Sequence, residues 1–465
     1  MDKMIFAVAG LGFGDEGKGK TVDYLVRRFS IRNVVRYNGG AQAAHNVVSP
    51  EGVYHCFSQF GSGTLVPGVR TLLSRYMLVN PLSVMTENEV LQSKGITDAL
   101  ERLLIDRLCP VITPMSVIVN RMEEIFRGNS RHGSCGQGVG QTMKDVEILG
   151  SQTLLMGDLA DAKILRQKLD FLWRIKLDLA QQLAEQRPQL GRLQDYLQQL
   201  HNFDLAGLLR QYLDFSSAVR LAEEAQLLEL IAKEGAIFEG AQGVLLDPGH
   251  GFWPYVTQTR TTYVNADDLI LRSGFSGQVI KLGVLRGYAT RHGAGPFVSE
   301  SDDLRDLIPA CHNGLNEWQG QFRLGWFDLL SARYALQAAG PIQGLAITNL
   351  DRLAAIKEMK VCTEYQRRGA DVRILGSHFE LVPGSTGAIC GIKPKSENSK
   401  PSTEIAEQLL RCQPIYSRIN NWSEGGGEDF SGSKYLDFLS KNLGVPIALT
   451  SFGPSARETS TLIAF

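Results

Sequence analysis

Short apolar runs that end at glycine or a polar residue recur along this chain, the signature of strands buried on both faces. The first, residues 4–9 (MIFAVA), runs into Gly10 and a glycine-rich turn. Residues 17–29 then switch to helical spacing, with Val22, Leu25 and Val26 on one face. A second apolar run, residues 33–37, follows at once. Strand, loop, helix and strand in that order predict a parallel sheet. Further strands are expected at residues 236–239, 279–285, 344–348 and 446–450. The ends of such strands are where open α/β sheets hold ligands. The expected fold class is therefore α/β, a large and mostly parallel central sheet flanked by helices.

Residues 161–233 break the pattern. They are rich in Leu, Gln, Arg and Glu, contain the single proline Pro188, and carry a helical stripe at Leu165, Leu169 and Leu172. We read residues 151–235 as a helix-rich insertion within one unit spanning 1–465. Residues 384–402 concentrate Gly, Pro and Ser and predict a surface loop, and residues 421–433, with three consecutive glycines, a second irregular segment.

Composition narrows the function classes. The 465 residues carry a formal charge of -1 and are 43% apolar. That balance gives no general reason to expect nucleic acid or membrane binding. Seven cysteines, scattered and without a CxxC pair, point away from a disulfide framework or a zinc site and toward a reducing compartment. The apolar run at residues 4–9 is too short for a leader or a spanning helix, so a cytoplasmic protein is expected.

The candidate chemistry lies in GLGFGDEGKGKT, residues 10–21. Gly12 to Gly17 fits the dinucleotide fingerprint GxGxxG, and Gly14 to Thr21 fits the phosphate loop GxxxxGKT. Both motifs free backbone N–H groups at a helix N-terminus to cradle phosphate. The neighbours separate the readings. A dinucleotide site needs an acid at the end of the second strand, and here that strand ends in Arg36-Tyr37-Asn38-Gly39. A phosphate-loop GTPase would use Lys20 for phosphates and Thr21 for magnesium, with Asn349-Leu350-Asp351 as a faint guanine-reading echo. Asp15 and Glu16 inside that loop count against it, since they repel a nucleotide unless a metal or a proton transfer uses them.

Eight segments in order resemble adenylosuccinate synthetases. GFGDEGKGK at 12–20 resembles the family's WGDEGKGK, VVRYNGGAQAAH at 34–45 its VVRYQGGHNAGH, and FEGAQGVLLD at 238–247 its FEGAQGTLLD. HGFWPYVTQTRTT, TRHGAGPF at 290–297, GWFD at 325–328, TNLD at 348–351 and SFGPSARET at 451–459 complete the series. The resemblance implies a GTP-dependent ligase joining IMP and L-aspartate with Mg²⁺, assembled as a homodimer. It implies Asp15 as the base at N1 of IMP and, with the Ala44 carbonyl, as a metal ligand. His45 would act between O6 and the γ-phosphate, Lys18 would neutralise phosphate charge, and Gln242 would orient the purine. Gly14, Glu16, Gly17, Lys18, Gly19 and Lys20 would form the triphosphate loop, and Asn349, Asp351, Ser451, Gly453 and Pro454 the base site. Asn38, Gln42, Cys135 and Thr257 would contact the purine monophosphate, His292 its ribose, and Arg323 the aspartate.

Departures from the family pattern gather around substrate selection. Gln42 replaces an asparagine, Ala44 a glycine, and Cys135 a phosphate-binding threonine with a stronger donor. The arginine that the family sends across the dimer interface falls near Ser151 or Gln152, neither charged. GQFRLGW at 320–326 keeps one arginine where the family's GRPRRCGW has several. Asn349 replaces the lysine that covers the base. A sister branch acting on 2-amino purine nucleotides carries serine at the Asp15 position, and this chain does not. The alternatives left open are the same two-step mechanism on another 6-oxopurine nucleotide, amino acid or triphosphate, a GTPase switch, and a silent nucleotide binder.

Overall fold

The computed structural model describes residues 3–308, 317–354, 356, 358–369, 371–395, 402–420 and 434–465. Its centre is a ten-stranded sheet. From one edge to the other the strands are Thr459–Thr461, Ile447–Ser451, Gly344–Thr348, Gln278–Arg286, Met4–Gly10, Ala236–Glu239, Asn33–Arg36, Arg70–Leu73, Leu103–Asp106 and Arg220–Ala222. All neighbours run parallel except the edge pair 447–451 and 459–461.

The unbroken apolar runs follow from two-sided burial. Ile5, Ala7 and Ala9 join one core with Val35 and Phe238, whereas Phe6 and Val8 join another with Val34 and Ile237. Alternate side chains point to opposite faces, so covering both faces leaves no polar position along the strand. Helix Lys18–Phe29 covers the second core with Val22, Leu25 and Val26, the stripe its spacing predicts.

Residues 162–234 hold helices Ala162–Gln186, Gly191–His201, Leu205–Ala218 and Glu224–Glu234, with Pro188 between the first two. Leu165, Leu169 and Leu172 share a core with Leu73 and Ile105 of the sheet. Lys176, buried, pairs with Asp145 at 2.5 Å. The segment also supplies the sheet's last strand, Arg220–Ala222, which the helical reading of 161–233 missed. The loop expected over 384–402 is corrected as well. Ala388–Ile392 is a strand that buries Ile389 and Ile392 in a second, five-stranded sheet. The irregular segment expected at 421–433 lies outside the described residues. Among the described residues no helix is long and apolar enough to cross a membrane.

Because the strands run parallel, Gly10, Arg36, Glu239, Arg286, Thr348 and Ser451 all end on one side of the sheet. A cleft of about 790 Å³ opens there.

Candidate active site

The glycine-rich loop disposes of its two acids differently. Glu16 turns inward, where its carboxylate accepts from Gly12 N at 3.0 Å and Gly14 N at 2.7 Å and pairs with Lys18 Nζ at 2.5 Å. Both side chains are buried, so Glu16's charge is matched before any nucleotide arrives. Lys18 lines the cleft but is committed to Glu16. Asp15 instead faces the cleft with φ 63, held by Arg286, whose Nη2 lies 2.7 Å from Oδ2 and whose Nε donates to the Asp15 carbonyl. Gly17, at φ 91, caps the following helix. The first helical bond runs from Thr21 N to Gly17 O at 3.2 Å, leaving the preceding N–H groups directed out of the helix toward an anion. Gly19 is required by packing, because a Cβ there would lie 2.9 Å from that of His45.

His45 begins strand His45–Val48 and reaches the strand end that carries Glu239. Its Nδ1 lies 2.5 Å from Glu239 Oε1. Ser62 donates to the same carboxylate from its backbone N at 2.9 Å and from its hydroxyl. Burial works to raise Glu239, but His45, Arg36 and the Ser62 hydroxyl outweigh it and hold the carboxyl at about 2. Burial pushes His45 down, with Glu239 opposing. We therefore assign a neutral ring that donates Nδ1–H to an ionised Glu239 and leaves Nε2 as the nitrogen for the cleft.

Gln242, at φ 62, donates to Thr257 Oγ1 at 2.7 Å and accepts from Thr259 Oγ1 at 3.1 Å. Four non-glycine residues among those described have positive φ, and three of them, Asp15, Gln242 and Asn349, line this cleft. Each costs about 1–3 kcal/mol and persists where the surroundings impose it, which marks the cleft as functional. Both amide atoms of Gln42 are buried without a partner among the described residues. Cys135 lines the cleft as a thiol that burial pushes up to about 11. Asn38 is different. It donates to the Ala241 and Arg260 carbonyls at 3.1 and 2.8 Å and accepts from Ala241 N at 2.7 Å, so the whole amide is spent on loop geometry.

At the end of strand Gly344–Thr348, Lys20 turns away from the phosphate loop. Its Nζ donates to Asn349 Oδ1 at 3.0 Å and to the Gly453 carbonyl at 3.3 Å. Burial and the charge of Arg286 draw it down to about 8. Pro454 lines the cleft, Ser451 donates to the Gly453 carbonyl, and Asp351 is exposed, 3.7 Å from Arg352.

The wall expected to hold the amino acid departs most. Strand Phe322–Gly325 pairs antiparallel with Ala289–His292. Phe322, Leu324 and His292 line the cleft. His292 packs its ring 4.7 Å from Phe322 and has a buried Nδ1 without a partner among the described residues. Arg323 turns the other way, to Glu300, with Nε 3.0 Å from Oε1, and to the Gly293 and Gly295 carbonyls at 3.0 and 2.9 Å. Its assignment as a substrate contact is not supported, since strand alternation sends it off the wall.

Sequence reasoning missed Glu239, Arg286, Ser62 and Glu300. The first two carried a signal, each being a charged residue that closes an apolar stretch at a strand's C-terminal end. For a metal, Asp15 offers Oδ1, free of the Arg286 contact, and Ala44 offers a carbonyl in the cleft wall. Among the described residues no group of three or more His, Cys, Asp or Glu could hold an ion alone. That sparse oxygen set fits magnesium, which takes one or two protein ligands beside phosphate and water.

The comparisons agree with this geometry. The adenylosuccinate synthetase family model matches residues 7–460. The adenylosuccinate synthetase of Caldanaerobacter subterraneus is 30% identical, the match covering 99% of this chain and 100% of that protein. The Vibrio vulnificus enzyme of the same name is 31% identical over 97% of each chain. In fold, the fully ligated adenylosuccinate synthetase of Plasmodium falciparum superposes with a TM-score of 0.73 at 20% identity, covering 98% of this chain and 99% of that one. The succinoaminodeoxyadenylate synthetase of cyanophage S-2L, bound to dGMP and dATP, gives 0.57 at 15% over 100% and 97%. With its phosphate loop, its strand-end acids and its full-length match to one set of enzymes, this chain belongs to the adenylosuccinate synthetase family.

Proposed function

We propose that the cleft joins IMP and L-aspartate at the expense of GTP, giving adenylosuccinate, GDP and phosphate. The observation that carries this reading is the convergence of two oriented groups, Asp15 held by Arg286 and His45 held by Glu239, on one cleft at the sheet's strand ends. Asp15 takes the proton from N1 of IMP, so that O6 attacks the γ-phosphorus and GDP departs. His45 Nε2, unprotonated in the neutral ring, then stands by the resulting 6-phosphoryl-IMP as a proton acceptor. The amino group of aspartate adds to C6 and passes its proton to His45 Nε2, the C6–O6 bond breaks, and phosphate leaves carrying O6 and the proton that the imidazolium returns. Gln242, fixed by Thr257 and Thr259, orients the purine, and the buried amide of Gln42 awaits a polar partner on the nucleotide. Magnesium held by Asp15 and the Ala44 carbonyl would supply positive charge to the phosphate oxygens.

The reading places the protein in the cytoplasm as a homodimer serving AMP synthesis. A second reading keeps the mechanism and changes the amine, and the commitment of Arg323 to Glu300 favours it. Both are tested by phosphate release with Mg²⁺ while GTP, IMP and aspartate are omitted in turn. Release that needs all three supports the first reading. Release that needs IMP but answers to another amino acid supports the second, and release without IMP sinks both.

A further inference from the structure

An amino acid enters a neutral-pH cleft mainly as its ammonium form, which has no lone pair to offer C6. That group must shed one proton before it attacks and another afterwards, and His45 takes only the later one. His292 closes strand Ala289–His292 and lines the cleft. It pairs with Phe322 across the hairpin, and the two rings pack 4.7 Å apart. The guanidinium of Arg286 lies 5.9 Å from the centre of the same Phe322 ring while gripping Asp15 at 2.7 Å. His292 thus stands on the wall beside the Asp15–Arg286 pair. Neither of its ring nitrogens bonds a described residue, although Nδ1 is buried. A histidine packed for structure alone normally finds a partner for a buried nitrogen. Arg291 and Arg323, its neighbours on the two paired strands, are spent on the Ala294 and Pro296 carbonyls and on Glu300. The charges that act on the ring are therefore those of Asp15 and Arg286. Burial pushes His292 down from its ordinary value, with Asp15 opposing and Arg286 reinforcing. The ring is neutral near pH 7 and keeps a lone pair that no described protein group uses.

We propose that His292 takes the first proton from the α-ammonium of the incoming amino acid and so frees the neutral amine that attacks C6. The inference rests on the reading that an amine displaces a phosphorylated O6 in this cleft. C6 is bonded to N1, so a purine whose N1 meets Asp15 brings C6, and the amine approaching it, beside the same wall. By that stage Asp15 holds the N1 proton and His45 waits for the second amine proton, which leaves His292 for the first. The N–H bond breaks toward the imidazole, and its electron pair stays on nitrogen. That pair then forms the N–C6 bond, the second proton passes to His45, and phosphate leaves with it. His292 returns its own proton to water once the product departs. The role holds whichever amino acid enters, because the α-ammonium is common to them.

The test is the pH profile of kcat/KM for L-aspartate, or for the amino acid that the omission series selects. Phosphate release by the full chain is followed from about pH 6 to 9 at saturating IMP, GTP and Mg²⁺. With His292 present, ammonium and neutral ring react together, so kcat/KM should be flat above the pKa of the ring. His292→Gln stays polar but accepts no proton, and only the free amine then reacts. Its kcat/KM should fall by about 10²-fold near pH 7 and recover by about tenfold for each unit of rising pH. Should His292→Gln fail to fold by thermal unfolding, His292→Leu, which packs the same face of Phe322, should show the same slope. Profiles of variant and unaltered protein that stay parallel would overturn the inference and leave His292 a packing residue. A rise confined to the KM for IMP would overturn it too, by assigning the ring to the ribose. An unaltered protein whose own kcat/KM tracks the free amine would overturn it without any variant. Phosphate release that needs no amine would instead remove the reading on which the inference rests.

Discussion

At the end of the cleft where we propose the reaction occurs, each side chain proposed to act is gripped by a partner, Asp15 by Arg286, His45 by Glu239, Gln242 by Thr257 and Thr259. Along strand Phe322–Gly325 the opposite holds. The side chains facing the cleft, Phe322 and Leu324, cannot bond a charged ligand, and the arginine between them is spent on Glu300 and two carbonyls. Proton and phosphoryl transfer demand groups fixed at hydrogen-bond distance, so a chain that keeps the reaction keeps the partners too. A binding wall has no such demand, and one strand can change its cleft-facing residues without moving the catalytic ones. The chemistry and the clientele of this cleft are therefore separable properties of its structure.

The comparison breaks most sharply at Asp15. Asp15→Asn keeps the shape but cannot take a proton, and we expect phosphate release at saturating GTP and Mg²⁺ to fall by about 10²–10⁴-fold. Activity near that of the unaltered protein would move the base elsewhere.

Glu239→Gln comes next in size. The amide still fills the site but presents no charge to the imidazole, and kcat should fall by about 10–10²-fold at nearly constant KM for each substrate. A rise in KM alone would reduce Glu239 to a binding role.

Arg323→Met probes the other region and should act on folding rather than on chemistry. The thermal midpoint should drop, because Glu300 and the Gly293 and Gly295 carbonyls lose their donor. The KM for aspartate should stay within about threefold of the original. A large KM increase at unchanged thermal midpoint would show that the guanidinium swings into the cleft to meet substrate.

The smallest effects distinguish the two regions by pH. Glu239 is held at about 2, below its ordinary 4.5, so its stabilisation is complete above that ordinary value and is lost as pH falls through 2. Asp328, just beyond the wall, is pushed up by burial from 3.8 to about 6, against its bonds to Ser331 N and the Tyr365 hydroxyl. Its folded form binds the proton more tightly, so stability declines as pH rises between those values. Denaturant unfolding across the acid range should show the decline vanish in Asp328→Asn and the acid loss shrink in Glu239→Gln. Unaltered pH profiles in both would contradict the electrostatic account of either carboxyl.

Much of this was legible in the sequence. The central strands announced themselves because burial on both faces leaves continuous apolar runs, and the loop at 10–21 because a phosphate cradle needs glycine. Strand Arg220–Ala222 is three residues long, too short for any period to emerge, and it follows helices that dominate the local pattern. Within the site, residue type was readable but orientation was not. Glu16 and Asp15 are adjacent acids, and the sequence does not say which turns inward. Asn38 and Gln42 are both amides in one loop, yet one is saturated by backbone and the other has no partner among the described residues. Arg323 was expected at the substrate because it is the arginine left in its segment, but the phase of a strand decides which face it takes.

The central claim is that O6 of the purine becomes the phosphorylated oxygen and leaves with phosphate. It is tested most directly by turning over IMP labelled with oxygen-18 at O6, in the presence of GTP, aspartate and Mg²⁺, and weighing the phosphate released. The account predicts one labelled oxygen in each phosphate formed. Unlabelled phosphate formed at the same rate would mean that water, not the nucleotide, attacks GTP, and would contradict it.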